Sequence, residues 1–85
     1  MHSPSKRFVY YLQSAVDPDQ RYSGLTSDVA PRLSVHNAGQ SPHTSKHRPW
    51  ILLAAVEFIE EARAVAFERY LKSGSGRAFA RRHFG

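Results

Sequence analysis

An apolar run over residues 50–58 is the feature that most constrains what this chain can fold into. Only Glu57 interrupts it, and the run is far shorter than the roughly 20 residues that span a bilayer. Such a run is typical of a strand that is covered on both faces. We therefore expect it to be the central strand of a sheet.

The start of the chain predicts a β-hairpin. Residues 8–13 are apolar and aromatic, and residues 21–26 alternate between two sets of side chains, as strands do. Between them, Asp17, Pro18 and Asp19 supply turn chemistry in a segment of hairpin-loop length. The hairpin and the apolar run together give three strands.

Helices are expected between and after these strands. Ser27 or Asp28 can cap a helix that ends near Asn37. Residues 60–72 form an amphipathic pattern, and after a Ser-Gly break at 73–76, residues 77–84 predict a short basic helix. Residues 40–49 are polar and predict a loop over the surface.

Length and composition limit the class of protein. At 85 residues the chain predicts a single domain over residues 1–85. It has no cysteine, which excludes a disulfide framework and a thiolate zinc site and favours the cytoplasm. The N-terminus lacks a hydrophobic signal core, and no segment has a wide exposed apolar face, so no membrane partner is expected.

Charge points to a polyanionic partner. There are 12 Lys and Arg against 7 Asp and Glu, and after Ala62 the only acid is Glu68. Contacts between such a basic segment and phosphates gain affinity through counterion release. The alternative is a solvated helix surface. The basic side chains in question are Arg63, Arg69, Lys72, Arg77, Arg81 and Arg82.

Five side chains are candidates for chemistry. Tyr10 and Tyr22 can share one face of the hairpin, and Arg32 and His36 are i, i+4 neighbours on one helical face. An arginine fork suits a phosphate, a histidine can move a proton, and a lone carboxylate, Glu68, can bind a divalent ion. Taken singly, the tyrosines are ordinary strand packing residues and the Arg-His pair an ordinary helix edge.

Other positions have weaker signals. Gly24 would let a backbone or a phosphate approach closely, or it marks a bulge. Glu68 has an ordinary partner in Lys72 at i+4. His43 and His47 have the same spacing, but they lie in the predicted loop without a third ligand nearby, which disfavours a zinc site.

The ordered motifs resemble those of the GIY-YIG endonuclease superfamily, and most closely its small stand-alone bacterial members. The resemblance runs from about Phe8 to Phe84. Any one of its tripeptides is weak, and the ordered set is strong. The motifs are Phe8-Val9-Tyr10, Tyr22-Ser23-Gly24, Arg32-Leu33-Ser34-Val35-His36-Asn37 and Ala66-Phe67-Glu68-Arg69-Tyr70-Leu71-Lys72.

This resemblance implies an α+β fold, a three-stranded antiparallel sheet flanked by helices, and metal-dependent hydrolysis of DNA. It implies that Tyr10 and Tyr22 position or deprotonate the attacking water, with assistance from His36. Arg32 would hold the scissile phosphate and Glu68 would bind Mg²⁺ or Mn²⁺. With the basic residues above, it implies a DNA-binding set of Arg32, Lys72, Arg77, Arg81 and Arg82.

The chain also departs from the superfamily's pattern. Phe8 replaces a glycine, Ser23 an isoleucine, and Leu25 a lysine that some relatives have near the site. No asparagine stands near the C-terminal end, where many relatives have one, and Ser73 or Ser75 is the available substitute.

Two further functions remain open at the sequence level. One is a nucleic-acid-binding module of the same fold with little or no turnover. The other is a structural or protein-interaction domain. Because relatives with known targets have an added recognition domain, a protein partner that supplies target specificity is a further expectation.

Overall fold

The computed structural model describes residues 5–85, which form three strands, three α-helices and one short 3-10 helix, Ser45–His47. The predicted domain's first four residues lie outside this range. The three antiparallel strands flanked by helices confirm the predicted α+β fold class. The elements are β1 (Phe8–Ser14), β2 (Arg21–Thr26), α1 (Val29–Asn37), β3 (Trp50–Glu57), α2 (Glu61–Leu71) and α3 (Gly74–His83).

The sheet has the order β2-β1-β3, so β1 is its central strand. Our prediction that the apolar run is central was wrong, because β3 is an edge strand that exposes 49% of Ile51 and 37% of Leu52. Hydrophobicity indicates that a segment is a strand, but pairing decides where it lies. The hairpin joins β1 to β2, and β3 takes the remaining side of β1.

Alternation along β1 separates two layers. Val9 and Tyr11 pack against α2 and α3 in an apolar cluster, whereas Tyr10 and Leu12 pack on the other side against α1. Because successive side chains on a strand point to opposite faces, α1 covers one face of the sheet and α2 with α3 cover the other. We call these the α1 face and the α2–α3 face.

The C-terminal helix begins earlier than the sequence predicts. The Ser-Gly segment does not separate α3 from a loop, since α3 starts at Gly74 and Ser73 caps it by accepting a hydrogen bond from the Gly76 amide. A side chain at Gly76 would collide with the backbone oxygen of Tyr70, which explains the close packing of α3 on α2. No helix within residues 5–85 is long and apolar enough to cross a membrane.

Candidate active site

Four of the five predicted side chains meet on the α1 face. Tyr10 comes from β1, Tyr22 from β2, and Arg32 and His36 from α1. The ring of Tyr22 lies 6.2 Å from that of Tyr10 and 5.0 Å from that of His36, measured between centroids. The i, i+4 pair on α1 therefore faces the sheet and is not a solvated helix edge.

A chain of hydrogen bonds runs through this cluster. Arg32 Nε donates to the Tyr10 hydroxyl oxygen at 3.3 Å, and that hydroxyl lies 2.9 Å from His36 Nε2. On its other side, His36 Nδ1 lies 2.7 Å from Thr44 Oγ1. Pairing each proton with an acceptor makes Tyr10 donate to Nε2 and the Nδ1 proton go to Thr44.

Burial fixes the charges in the cluster. Tyr10 is 2% exposed and His36 is fully buried. Burial raises the pKa of Tyr10, although its hydrogen bond from Arg32 opposes the shift. Burial, and then the charge of Arg32, lower the pKa of His36. Near pH 7 the phenol and the imidazole are therefore both neutral, and the cluster has the single positive charge of Arg32.

The four side chains differ in their access to a ligand. Tyr22 and Arg32 are partly exposed, whereas Tyr10 and His36 lie behind them in the interior. The hydrogen bond from Arg32 to Tyr10 raises the pKa of the guanidinium and holds it in place. A bound anion would meet an oriented arginine and a phenol at the surface, supported from behind by a neutral tyrosine and histidine.

Gly24 has a defined role beside Tyr10. The two residues are paired across β1 and β2, and a β-carbon at Gly24 would collide with the Tyr10 hydroxyl and ring. The sequence predicts a close approach at this glycine, of a backbone or a phosphate. The group that approaches is the phenol of Tyr10.

Thr44 is a member of the cluster that the sequence did not predict. We expected residues 40–49 to form a surface loop, but Thr44 is fully buried. Its backbone oxygen also accepts a hydrogen bond from Trp50 Nε1 at 2.8 Å. Asn37 fixes the same region by bonding the Trp50 amide and carbonyl at 2.6 and 3.2 Å. Nothing in the local sequence marks this threonine, because its partners are distant in the chain.

Glu68 is the predicted residue that does not join the cluster. It lies on α2, which packs on the α2–α3 face, and is 8% exposed. Its Oε2 pairs with Lys72 Nζ at 2.6 Å, the ordinary i, i+4 partner. Within residues 5–85 it makes no hydrogen bond to Tyr10, Tyr22, Arg32 or His36. The structure therefore brings together four of the five candidate side chains and pairs the fifth with Lys72.

A cavity at the β2 edge connects the two layers. It has a volume of about 420 Å³, and both Tyr22 and Lys72 line it. Glu68 is therefore bonded to Lys72, a lining residue of the cavity that Tyr22 of the cluster also lines. Its lining residues are Tyr11, Asp19, Gln20, Arg21, Tyr22, Ser23, Leu71, Lys72, Arg77 and Arg81.

The predicted DNA-binding residues lie in three places. Lys72, Arg77 and Arg81 line the cavity, and Arg21 joins them there although the sequence did not single it out. Arg32 belongs to the cluster on the α1 face. Arg82 borders a separate depression with Tyr70, Phe79 and His83, so it does not share the cavity with its neighbour on α3.

The described residues offer few protein ligands for a divalent metal ion. The part of the chain that the structure describes has no group of three or more His, Asp or Glu side chains able to hold a metal, including around His43 and His47. One carboxylate is enough for Mg²⁺, which keeps several waters and binds through one or two carboxylates and substrate phosphates. Glu68 fits that role if the metal ion binds the carboxylate beside the Lys72 ammonium group or displaces that group.

The sequence also matches known proteins. The model of the family described as GIY-YIG catalytic domain matches residues 6–82. A protein of Lactococcus lactis subsp. cremoris (strain SK11), named UPF0213 protein, is 40% identical over 67 residues, which cover 76% of this chain. The match spans 65% of that relative's own length. No solved structure gives a significant match.

Proposed function

Because the chain belongs to the GIY-YIG catalytic domain family, we propose that it is an endonuclease that hydrolyses DNA phosphodiester bonds with one divalent ion. The observation that carries this proposal is the hydrogen-bonded set of Arg32, Tyr10 and His36 beside the partly exposed Tyr22. A fixed guanidinium next to a phenol can hold a phosphate and the water that attacks it. The family implies a nuclease; the DNA substrate and the metal belong to our proposal.

Arg32 and Tyr22 are the members of the cluster that reach the substrate in this proposal. Arg32 binds the scissile phosphate with its remaining N–H groups, since Nε is already bonded to Tyr10. Tyr22 would face the water that attacks this phosphate. Tyr10 and His36 act as positioning residues, because they are buried behind Arg32 and Tyr22 and can affect the substrate only through them.

Proton transfer from Tyr10 to His36 is energetically unfavourable in this environment. Burial raises the pKa of the phenol and lowers the pKa of the imidazole, so the gap between them is wider than for the free side chains. A resting Tyr10 phenolate is therefore not part of the mechanism. The neutral pair holds Arg32 and orients Tyr22, and a phosphate oxygen of the substrate is left as the acceptor of the water proton.

Glu68 is the proposed ligand of Mg²⁺ or Mn²⁺. The bound ion would supply Lewis-acid stabilisation of the charge that develops on phosphate oxygens. Lys72 neutralises the carboxylate in the absence of an ion and lines the cavity beside Tyr22. The protein therefore holds the carboxylate beside a residue of the cavity at the β2 edge, where a bound strand could bring a phosphate oxygen to it.

A second candidate function is a nucleic-acid-binding module with little or no turnover. The pairing of Glu68 favours it, because the carboxylate is bonded to Lys72 and, within residues 5–85, to none of the four cluster side chains. The basic cavity and Arg32 would then bind phosphates without cleaving them. This alternative shares the fold and the partner, so only turnover separates it from the endonuclease.

One cleavage experiment separates the two functions. We expect the purified protein to cut labelled duplex, flap, branched or single-stranded DNA in Mg²⁺ or Mn²⁺ but not in EDTA. Glu68→Gln should abolish cleavage and leave binding nearly intact, while the exposed Glu57→Gln serves as a charge-matched control with normal activity. Cleavage that survives Glu68→Gln would remove Glu68 from the site, and no cleavage of any DNA by the wild type would favour the binding module.

Arg32→Ala tests the phosphate contact. It should lower the cleavage rate by roughly 10²–10³-fold, the range for losing one donor to a charged transition state, and weaken DNA binding as well. Arg63→Ala on the exposed surface of α2 removes the same charge elsewhere and should leave the cleavage rate close to that of the wild type. Equal effects of the two variants would show that Arg32 acts only through net charge.

A further inference from the structure

The cavity at the β2 edge concentrates positive charge beyond what its own acids neutralise. Arg21, Lys72, Arg77 and Arg81 line it, and Asp19 is the acidic member of the lining. Lys72 is also paired with Glu68. The lining cations outnumber these two carboxylates, and this surplus of positive charge suits an anion.

Arg21 is held in place before any ligand arrives. Its Nε donates to the Pro18 carbonyl at 2.9 Å, its Nη1 donates to the backbone oxygen of Gly85, and its guanidinium lies 5.8 Å from the centre of the Tyr11 ring. A guanidinium fixed at two nitrogens loses little freedom when it binds an anion. This feature distinguishes the cavity from a patch of freely moving surface cations.

We propose that this cavity binds the phosphate monoester at the end of a nucleic-acid strand. The inference rests on the proposed function, since it names the class of substrate for the same site. Tyr22 lines the cavity and its ring also lies 5.0 Å from that of His36, so the cavity and the cluster adjoin at this residue of β2.

Charge favours a monoester over an internal diester. A phosphate monoester has a charge of about −1.5 to −2 at pH 7 and three acceptor oxygens, which matches the surplus in the cavity. An internal phosphodiester has a single negative charge, and the nucleic-acid strand must continue on both sides of it. Tyr11, 6% exposed, and Leu71, 3% exposed, form part of the cavity wall, against which the end of a strand could rest.

The consequence for function is a preference for strand ends. The preferred substrates would have a phosphorylated end close to the scissile bond, as at nicks, gaps or short overhangs. Cleavage would then occur at a fixed short distance from that end, because β2 lines the cavity and Arg32 is bonded to Tyr10 on the neighbouring strand, β1.

Binding measured in EDTA tests this proposal independently of catalysis. Fluorescent hairpin DNA is compared with a 5′-phosphate, a 3′-phosphate or neither, together with a closed dumbbell that has no end. We expect one phosphorylated hairpin to bind roughly tenfold or more tightly than the unphosphorylated one, since a charge-assisted hydrogen bond contributes about 1.5–3 kcal/mol and 1.4 kcal/mol is tenfold. The two phosphorylated arms show which strand end is recognised.

Variants on α3 supply the matched control. Arg77→Gln and Arg81→Gln should each remove most of the preference for the phosphorylated end, whereas Arg82→Gln removes the same charge from the same helix outside the cavity and should retain it. Inorganic phosphate should displace the phosphorylated hairpin more readily than the unphosphorylated one. Equal affinity for all hairpins and the dumbbell, or an equal effect of the three variants, would overturn the proposal.

Failure of this proposal is distinguishable from failure of the proposed function. If the protein cuts DNA without regard to terminal phosphates and binds all hairpins equally, the nuclease stands and the end-binding cavity does not. If it prefers the phosphorylated end but cuts no DNA, the cavity stands and the binding module replaces the nuclease. Glu68→Gln removes no cation from the cavity lining, so it should retain the preference for the phosphorylated end even though it is expected to be inactive.

Discussion

The two faces of strand β1 are packed by different kinds of interaction. On the α2–α3 face, Val9 and Tyr11 pack into an apolar cluster with Ala64, Leu71 and Ala80. On the α1 face, Tyr10 lies in a buried hydrogen-bonded set with His36 and Thr44. Leu12 and Trp50 are the other buried hydrophobic residues of that layer, and Val29 and Leu33 pack against them. One face is built from hydrophobic burial and the other from paired polar groups.

This difference gives the α2–α3 face the larger part in stability and the α1 face the larger part in function. Burying apolar side chains contributes roughly 1.5–3 kcal/mol each, whereas a buried hydrogen bond contributes about 1 kcal/mol net. The polar face therefore adds less stability per side chain, but it requires one geometry, since each donor needs its acceptor. The apolar face supports that geometry from behind the sheet.

The largest expected effect comes from truncating one residue on each face of β1. Leu12→Ala should lower the free energy of unfolding by about 2–5 kcal/mol and also slow cleavage, because Leu12 packs with Tyr10 and Trp50. Val9→Ala should cost roughly 1–2 kcal/mol, at about 0.8 kcal/mol per buried methylene, with normal turnover of the folded protein. Urea unfolding and initial rates measure both. Equal losses of turnover would mean that the faces are not separable.

A smaller effect is expected from a methyl group at Gly24. Gly24→Ala should push the Tyr10 phenol away from Arg32 and His36, cost about 1–3 kcal/mol as an overpacked core does, and reduce cleavage. Gly74→Ala is the control, since a β-carbon there meets nothing within 4 Å and alanine favours a helix. If Gly24→Ala were as stable and active as Gly74→Ala, the packing of Tyr10 on Gly24 would not matter.

The smallest effect is a dependence of stability on pH that belongs to the α1 face alone. Burial lowers the pKa of His36, so below about pH 6.5 the unfolded chain takes up a proton that the folded protein does not. The free energy of unfolding should therefore fall as the pH drops from 6.5 to the pKa of the folded state, and stay level below it. His36→Gln should remove this component from unfolding curves measured between pH 8 and 5; an unchanged slope would place the titration elsewhere.

Local patterns predicted the elements well, because they depend on neighbours in the chain. The strands β1 and β2 begin and end within a residue of their predicted limits. Helix α1 ends at Asn37 as expected, although its N-cap, Asp28, makes no side-chain cap hydrogen bond. The predicted start of α3 was three residues too late. Ser73 caps the helix, and the first turn includes the two glycines that had predicted a break.

The sequence by itself determined the alternation that puts Tyr10 and Tyr22 on one face and the i, i+4 spacing that puts Arg32 and His36 on another. Only the tertiary structure decided that these two surfaces meet, that Thr44 closes the hydrogen-bond chain, and that Glu68 pairs with Lys72 instead of joining the cluster. The same holds for the place of β3 at the edge. The physical reason is that periodicity fixes where a side chain points relative to its own strand or helix, whereas packing between elements fixes which side chains share a site.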